Sequence, residues 1–278
     1  MPLISAPALR AKIGTVRLLD ARPSPEEYQA GHLPGAIHAD LNRQLSRASD
    51  PGHDPAQGGR HPLPPLARFT AQLGAWGIEP ETEVVVYDAN GGGNAAARLW
   101  WMLRALGHER VAVLDGGLPA ALAAGLTLTA EAAITSPVGP YPAHAWQWPT
   151  VDAQAVDAIR QDDSRKLLDV RAPERWRGDT ETLDPVAGHI PGSLNLAWND
   201  NLDASGCFKA PDLLRRQYEA LLQGTSPRQL TVHCGSGVTA CHTLLALEVA
   251  GLGGASLYVG SWSEWCRSDR PKAKESAP

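Results

Sequence analysis

Two segments of this chain occur twice, in the same order. Leu18–Arg22 (LLDAR) returns as Leu167–Arg171 (LLDVR), and Ala30–Gly35 (AGHLPG) returns as Ala187–Gly192 (AGHIPG). The correspondence runs on. Val84–Asp88 (VVVYD), followed by small residues and a helical pattern, parallels Leu230–Cys234 (LTVHC), which is followed by GSGVTACHTLLALEVAG. Val111–Gly117 (VAVLDGG) then parallels Ala255–Ser261 (ASLYVGS). Self-similarity over so long a period marks one fold unit used twice, and 278 residues suffice for two cores.

Each half alternates short β-rich apolar runs with helical stretches. That alternation predicts an α/β fold, a mainly parallel sheet flanked by helices on both faces, present in duplicate. Thr135–Thr150 (TSPVGPYPAHAWQWPT) has four prolines and no periodicity, and reads as the linker. The boundary is set near residue 140, giving domains 1–140 and 141–278.

The bulk numbers exclude several classes. A formal net charge of −5 gives no global attraction to nucleic acid or an anionic membrane. The N-terminus (MPLISAPALRAKIG) lacks the apolar core of a signal peptide, and no stretch approaches a membrane span, so a cytoplasmic protein is expected. The four cysteines (Cys207, Cys234, Cys241, Cys266) form neither a disulfide framework nor a metal-ligand spacing. They are free thiols, one of which can be reactive.

Cys234 is the candidate. It stands between a predicted strand, Leu230–Val232, and a helical pattern over Val238–Gly251, with Gly235-Ser236-Gly237 following it. Glycines at 235 and 237 let the backbone turn tightly, so that successive N–H groups and the helix N-terminus converge on an anion at the sulfur. The thiolate is the nucleophilic form, and such a setting favours it. A buried structural cysteine is the bland alternative, and the two glycines with the helix start count against it. Cysteine phosphatases and arsenate reductases need an arginine six positions after the cysteine to clamp a dianion, and that position is Ala240.

The residues Cys234-Gly235-Ser236-Gly237-Val238-Thr239, the paired AGH(L/I)PG segments, LLDVRAPERWRG and the closing Gly260-Ser261-Trp262-Ser263-Glu264-Trp265 resemble the tandem-rhodanese sulfurtransferases, within them the 3-mercaptopyruvate branch. The resemblance covers nearly the whole chain and implies two tandem rhodanese-like domains. It implies transfer of a sulfane sulfur through a Cys234 persulfide, from 3-mercaptopyruvate or thiosulfate to cyanide, a thiol or reduced thioredoxin, with no cofactor. The first-half equivalent of Cys234 is Asp88, which cannot carry sulfur, so the first domain is expected to be non-catalytic and to wall a cleft between the domains. The loop residues Gly235, Gly237, Val238 and Thr239 are carried over as substrate-binding. Arg175, in Asp169–Trp176 (DVRAPERW), matches the family's substrate-binding arginine. The family's second such arginine has no counterpart in Asp179–Asp184 (DTETLD), and Arg177 is a substitute at the wrong spacing.

A Ser-His-Asp relay proposed for mercaptopyruvate enzymes maps onto Ser236 and His61, with Asn42 at the carboxylate position. Asp40 then takes that role or the relay is weakened. The neutral Gly235-Ser236 pair favours a monocarboxylate donor over thiosulfate, leaving a thiosulfate-preferring enzyme and a non-enzymatic sulfur-relay or protein-binding module as alternatives. His32 and His189 are read as turn-bracing, Cys241 as a core residue rather than a resolving thiol. Asp20–Arg22 and Asp169–Arg171 are read as ion pairs bracing strand ends. Trp262 is placed near the cleft rim as a possible substrate contact, and the tail Arg267–Pro278 is expected to be loosely ordered.

Overall fold

Val84–Tyr87 (VVVY) and Leu230–His233 (LTVH) are buried along their length, as strands covered on both faces are. Each is the middle strand of a five-stranded parallel sheet in the computed structural model, which describes residues 2–275. The strands of the first sheet are β1 (Leu3–Ile4), β2 (Arg17–Asp20), β3 (Ile37–His38), β4 (Val84–Tyr87) and β5 (Val111–Leu114), in the order β1-β5-β4-β2-β3. Those of the second are β6 (Thr150–Val151), β7 (Lys166–Asp169), β8 (Leu194–Asn195), β9 (Leu230–His233) and β10 (Ser256–Tyr258), in the order β6-β10-β9-β7-β8. One topology is used twice, each sheet flanked by helices. The register repeats too: Asp20 pairs with Tyr87 and Asp169 with His233.

The chain divides into two compact units, neither continuous in sequence. One holds the described residues up to Ser46, Leu63–Trp148 and Leu202–Phe208; the other holds Arg47–Pro62, Pro149–Asn201 and the described residues from Lys209 on. In the first, Leu9, Leu18, Leu33, Val85, Tyr87, Leu114 and Leu118 share one core; in the second, Val156, Ile159, Leu167, Ile190, Tyr258, Trp262 and Trp265 do. Most of the proline-rich stretch is bound to the first unit. Its Val138, Tyr141 and Gln147 N–H groups donate to the carbonyls of Gly74, Thr70 and Ala105 (2.9, 3.0 and 2.7 Å), and Trp146 stacks on Phe69.

The repeated motifs brace the strand ends twice over. Arg22 Nη2 donates to Asp20 Oδ2 (2.6 Å) and to the Gly31 carbonyl (2.7 Å); Arg171 Nη2 does the same to Asp169 and Gly188 at the same distances. His32 stacks on Tyr28 and His189 on Trp176, with Nδ1 of each 2.8 Å from the carbonyl of the residue it covers.

The expectation of a loose C-terminal tail is corrected as far as Glu275. Ala273 exchanges two backbone hydrogen bonds with His189, Trp265 Nε1 donates to the Pro271 carbonyl, and Glu275 N–H donates to Arg177 (2.9–3.1 Å). The turn around His189 offers the tail unpaired backbone groups, and hydrogen bonding outweighs the tail's polar composition. Ser276–Pro278 lie outside the described residues. Among the described residues, no helix is long and apolar enough to cross a membrane.

Candidate active site

The matching registers make Asp88, next after Tyr87, the structural counterpart of Cys234, next after His233. The loop behind Asp88 shows what this turn does to an anion. Asp88 Oδ1 accepts the N–H groups of Asn90 and Gly92, and Oδ2 those of Asn94, Ala95 and Ala96, at 2.8–3.2 Å. Burial raises this carboxyl above the ordinary range, and the N–H groups of Asn90, Gly92, Ala96 and Asn94 offset that only in part. In the second unit the loop Cys234–Thr239 leads into helix Ala240–Val249, two residues later than predicted. There the N–H groups of Gly235, Ser236, Val238 and Thr239 have no acceptor among the described residues. Cys234 is 1% exposed, and the loop is pinned from the far side by Trp262 and Ser263, whose N–H groups donate to the carbonyls of Cys234 and Gly235 (3.0 and 2.9 Å).

The two glycines serve different ends, which corrects the view that both enable the turn. Gly237 has φ +73° and its β-carbon would collide with the Val259 carbonyl, so the turn itself requires it. Gly235 is not in the left-handed region. Its missing side chain leaves room for two guanidiniums: a β-carbon there would stand 3.1 Å from Arg60 Nη2 and 3.6 and 3.7 Å from Arg175 Nη1 and Nη2.

Arg175 lies on the short helix Pro173–Arg177, which starts on a proline and stops at Gly178 with φ +88°. Its Nη2 donates to both oxygens of Glu181 (2.8 Å each). Arg60 forms an ion pair with Asp184, and Arg267 Nη1 donates to the same carboxylate at 2.8 Å. The segment Asp179–Asp184, where a second arginine was sought, thus supplies carboxylates that hold arginines from elsewhere. Arg177 is turned to Asp179 (2.8 Å).

Ser236 and His61 are brought together, His61 Nδ1 standing 2.8 Å from Ser236 Oγ. His61 belongs to the compact unit of Cys234 although it lies in the first half of the sequence. Arg60 N–H donates to Ser263 Oγ (3.0 Å) and Gly58 N–H to Glu264 Oε1 (2.9 Å), which fixes the approach of this segment. Asp40 and Asn42 belong to the other unit, and Asp40 Oδ1 is engaged by the N–H groups of Asn42 and Arg43 (2.8 and 3.0 Å).

Beneath the loop, burial alone would raise the Asp169 carboxyl, but Arg171 and His233 outweigh it and hold it below the ordinary carboxylate range. For Arg171, burial opposes the charge while Asp169, Glu181 and the Cys234 thiolate support it, and the net direction is upward. Burial pushes His233 down, so it is neutral at pH 7. Trp262 is wholly buried, with Arg171 4.9 Å from its ring centre, which removes it as a rim contact: it is the floor on which the Asp169–Arg171 pair rests. Cys241 is buried, its Sγ 3.4 Å from the Gly237 carbonyl. Val238 is buried and Thr239 half-buried at the helix start. Sequence reasoning missed Arg60, Glu181 and Asp184. The first adjoins His61 and could have been weighed with it; the other two lie in the segment searched only for a second arginine.

The rhodanese-like domain model matches residues 5–124 and 152–268. A Pseudomonas aeruginosa protein named "Probable 3-mercaptopyruvate sulfurtransferase" is 43% identical over 96% of this chain and 96% of its own. A Mus musculus thiosulfate sulfurtransferase is 34% identical over 94% of this chain and 89% of its own. Among solved structures, SseA from Escherichia coli, described as a 3-mercaptopyruvate sulfotransferase, superposes with a TM-score of 0.77 at 31% identity, covering 94% of this chain and 99% of that one.

Proposed function

The chain belongs to the rhodanese family, and on that premise we propose that it is a sulfurtransferase in which Cys234 carries the sulfur between a small donor and a thiophilic acceptor. The observation that carries the reading is the pair of equivalent loops. One closes its N–H groups on the Asp88 carboxylate; the other, shorter by two residues, follows a cysteine and leaves the N–H groups of Gly235, Ser236, Val238 and Thr239 without an acceptor among the described residues. An anionic sulfur at Cys234 is the species such a loop stabilises. The first domain (residues 1–140), with Asp88 at the cysteine position, is non-catalytic.

The preferred donor is 3-mercaptopyruvate. The Cys234 thiolate attacks the donor sulfur, a sulfur–sulfur bond forms, the carbon–sulfur bond breaks, and the electron pair leaves as the enolate of pyruvate. Ser236, hydrogen-bonded to His61, supplies the proton that quenches that enolate, a role their 2.8 Å contact supports. An acceptor then attacks the outer sulfur of the persulfide, giving thiocyanate from cyanide or a new persulfide from a thiol, and the Cys234 thiolate is regenerated. Reduced thioredoxin is a fitting protein acceptor, and the four free cysteines suit a reducing, cytoplasmic setting.

Steady-state transfer to cyanide with 3-mercaptopyruvate and thiosulfate side by side, with Cys234→Ser as the blank, tests this. We expect 3-mercaptopyruvate to be preferred and the mutant to be inactive. A preference for thiosulfate overturns the donor assignment. No transfer from either donor, with slow alkylation of Cys234, leaves a binding module.

A further inference from the structure

Resting on the sulfurtransferase reading, we propose that Arg60 is a donor-binding residue that sets specificity: with Arg175 it forms a two-guanidinium site for the carboxylate of a monoanionic donor beside Cys234. The two guanidiniums come from opposite sequence halves and meet over Gly235, the residue after the nucleophile, where a β-carbon would stand 3.1 Å from one and 3.6 Å from the other. Their side chains keep 21% and 22% of their surface exposed, so a small anion can reach them.

Arg60 is held for this position at both ends. Its N–H is bound to Ser263 Oγ at 3.0 Å, and Gly59 before it has φ +81° and presses so closely on the Gly260 carbonyl that no β-carbon fits. His61 after it is tied to Ser236 at 2.8 Å. At the far end, the guanidinium is paired with Asp184, wholly buried as a side chain. A flexible cation would lose rotamer entropy on gripping a ligand, and this one is already fixed.

Charge counting selects the ligand. Arg60, Arg171, Arg175 and Arg267 face Asp169, Glu181, Asp184 and the Cys234 thiolate, so the cluster is balanced before a donor enters. A monocarboxylate adds one negative charge to it, whereas a dianion such as thiosulfate adds two in a partly desolvated place. Arg175 has one arm committed to Glu181, so the fork completed by Arg60 gives the carboxylate a second donor.

The test compares Arg60→Ala and Arg60→Lys with the wild-type enzyme, measuring KM separately for 3-mercaptopyruvate and for cyanide. Binding of 3-mercaptopyruvate is also titrated on the Cys234→Ser background with and without Arg60→Ala. Losing a charge-assisted contact is expected to raise the donor KM and Kd on the order of tenfold to a hundredfold. Arg60→Lys should recover part of that, and the cyanide KM should stay within about twofold. A purely structural Arg60 would shift both KM values together, or lower kcat and the thermal midpoint with the donor Kd held, and either result overturns the proposal. If wild type transfers sulfur and the donor KM ignores Arg60, this inference alone fails. If wild type transfers none from either donor, the sulfurtransferase reading fails first and takes this one with it.

Discussion

Asp169 and Arg171 form a wholly buried ion pair whose worth lies in not being broken. Replacing Asp169 by Asn leaves Arg171 charged, 1% exposed and short of its partner, which should cost about 3–5 kcal/mol in urea unfolding. Asp20→Asn repeats the experiment in the first unit, where Arg22 is almost as buried. The pH dependence has two parts. The Asp169 carboxyl is held low by Arg171 and His233 against burial. Its contribution is therefore present above the unfolded value of about 3.9 and is lost as pH falls through the lower folded one. His233 is pushed down by burial, so the unfolded chain takes up its proton first. Stability is full above about pH 6.5 and declines as pH falls from there towards the folded value. His233→Gln should flatten that decline, measured as unfolding free energy between about pH 5 and 7, without abolishing it, because His108 is shifted the same way by burial.

At the scale of elements, the Cys234 loop carries two glycines that should separate cleanly. Gly237→Ala puts a side chain at φ +73° and into the Val259 carbonyl, so it should cost at least about 1–3 kcal/mol and depress transfer from every donor. Gly235→Ala has an ordinary backbone and meets only the ends of two long side chains. Its stability should change by less than about 1 kcal/mol while the donor KM rises, checked by urea unfolding and steady-state kinetics on one preparation. The helix behind this loop was legible in the spacing of apolar residues over Val238–Gly251, although it has no amphipathic stripe. Ala240–Leu247 is buried all round, so no polar stripe exists to be read. The short helix Pro173–Arg177 was legible as a motif, yet what its arginine touches was not, because Glu181 reaches it across a non-repetitive loop.

For the whole molecule, the segment Arg47–Pro62 is the part whose allegiance differs from its place in sequence. Its amides should behave as part of the second unit's cooperative structure. In native-state hydrogen exchange, Gly58 and Arg60 should open together with Ser263 and Glu264, and Ser263→Ala should speed exchange at Arg60 selectively. Exchange of Arg60 in step with β2 and β4 would contradict that grouping. The duplication itself was fully legible. Repeated LLD(A/V)R and AGH(L/I)PG segments correspond to repeated strands, repeated Asp–Arg braces and repeated stacked histidines. Trp262 was misplaced and the tail to Glu275 misjudged for a shared reason: both depend on partners distant in sequence, Arg171 for one and His189 for the other.

The sequence by itself determined the α/β class, the duplication, the cysteine at a strand-to-helix turn and the pairing of that cysteine with Asp88, because each is written in local periodicity or in a motif printed twice. Only the tertiary structure decided which charges surround the cysteine. Arg60 and His61 come to Ser236 and Gly235 from some 175 residues away, and Glu181 and Asp184 become the seats of four arginines. Short-range patterns fix elements because backbone hydrogen bonding and side-chain period act over a few residues. A site built of long charged side chains is fixed by burial and ion pairing between segments, and spacing along the chain holds no record of those.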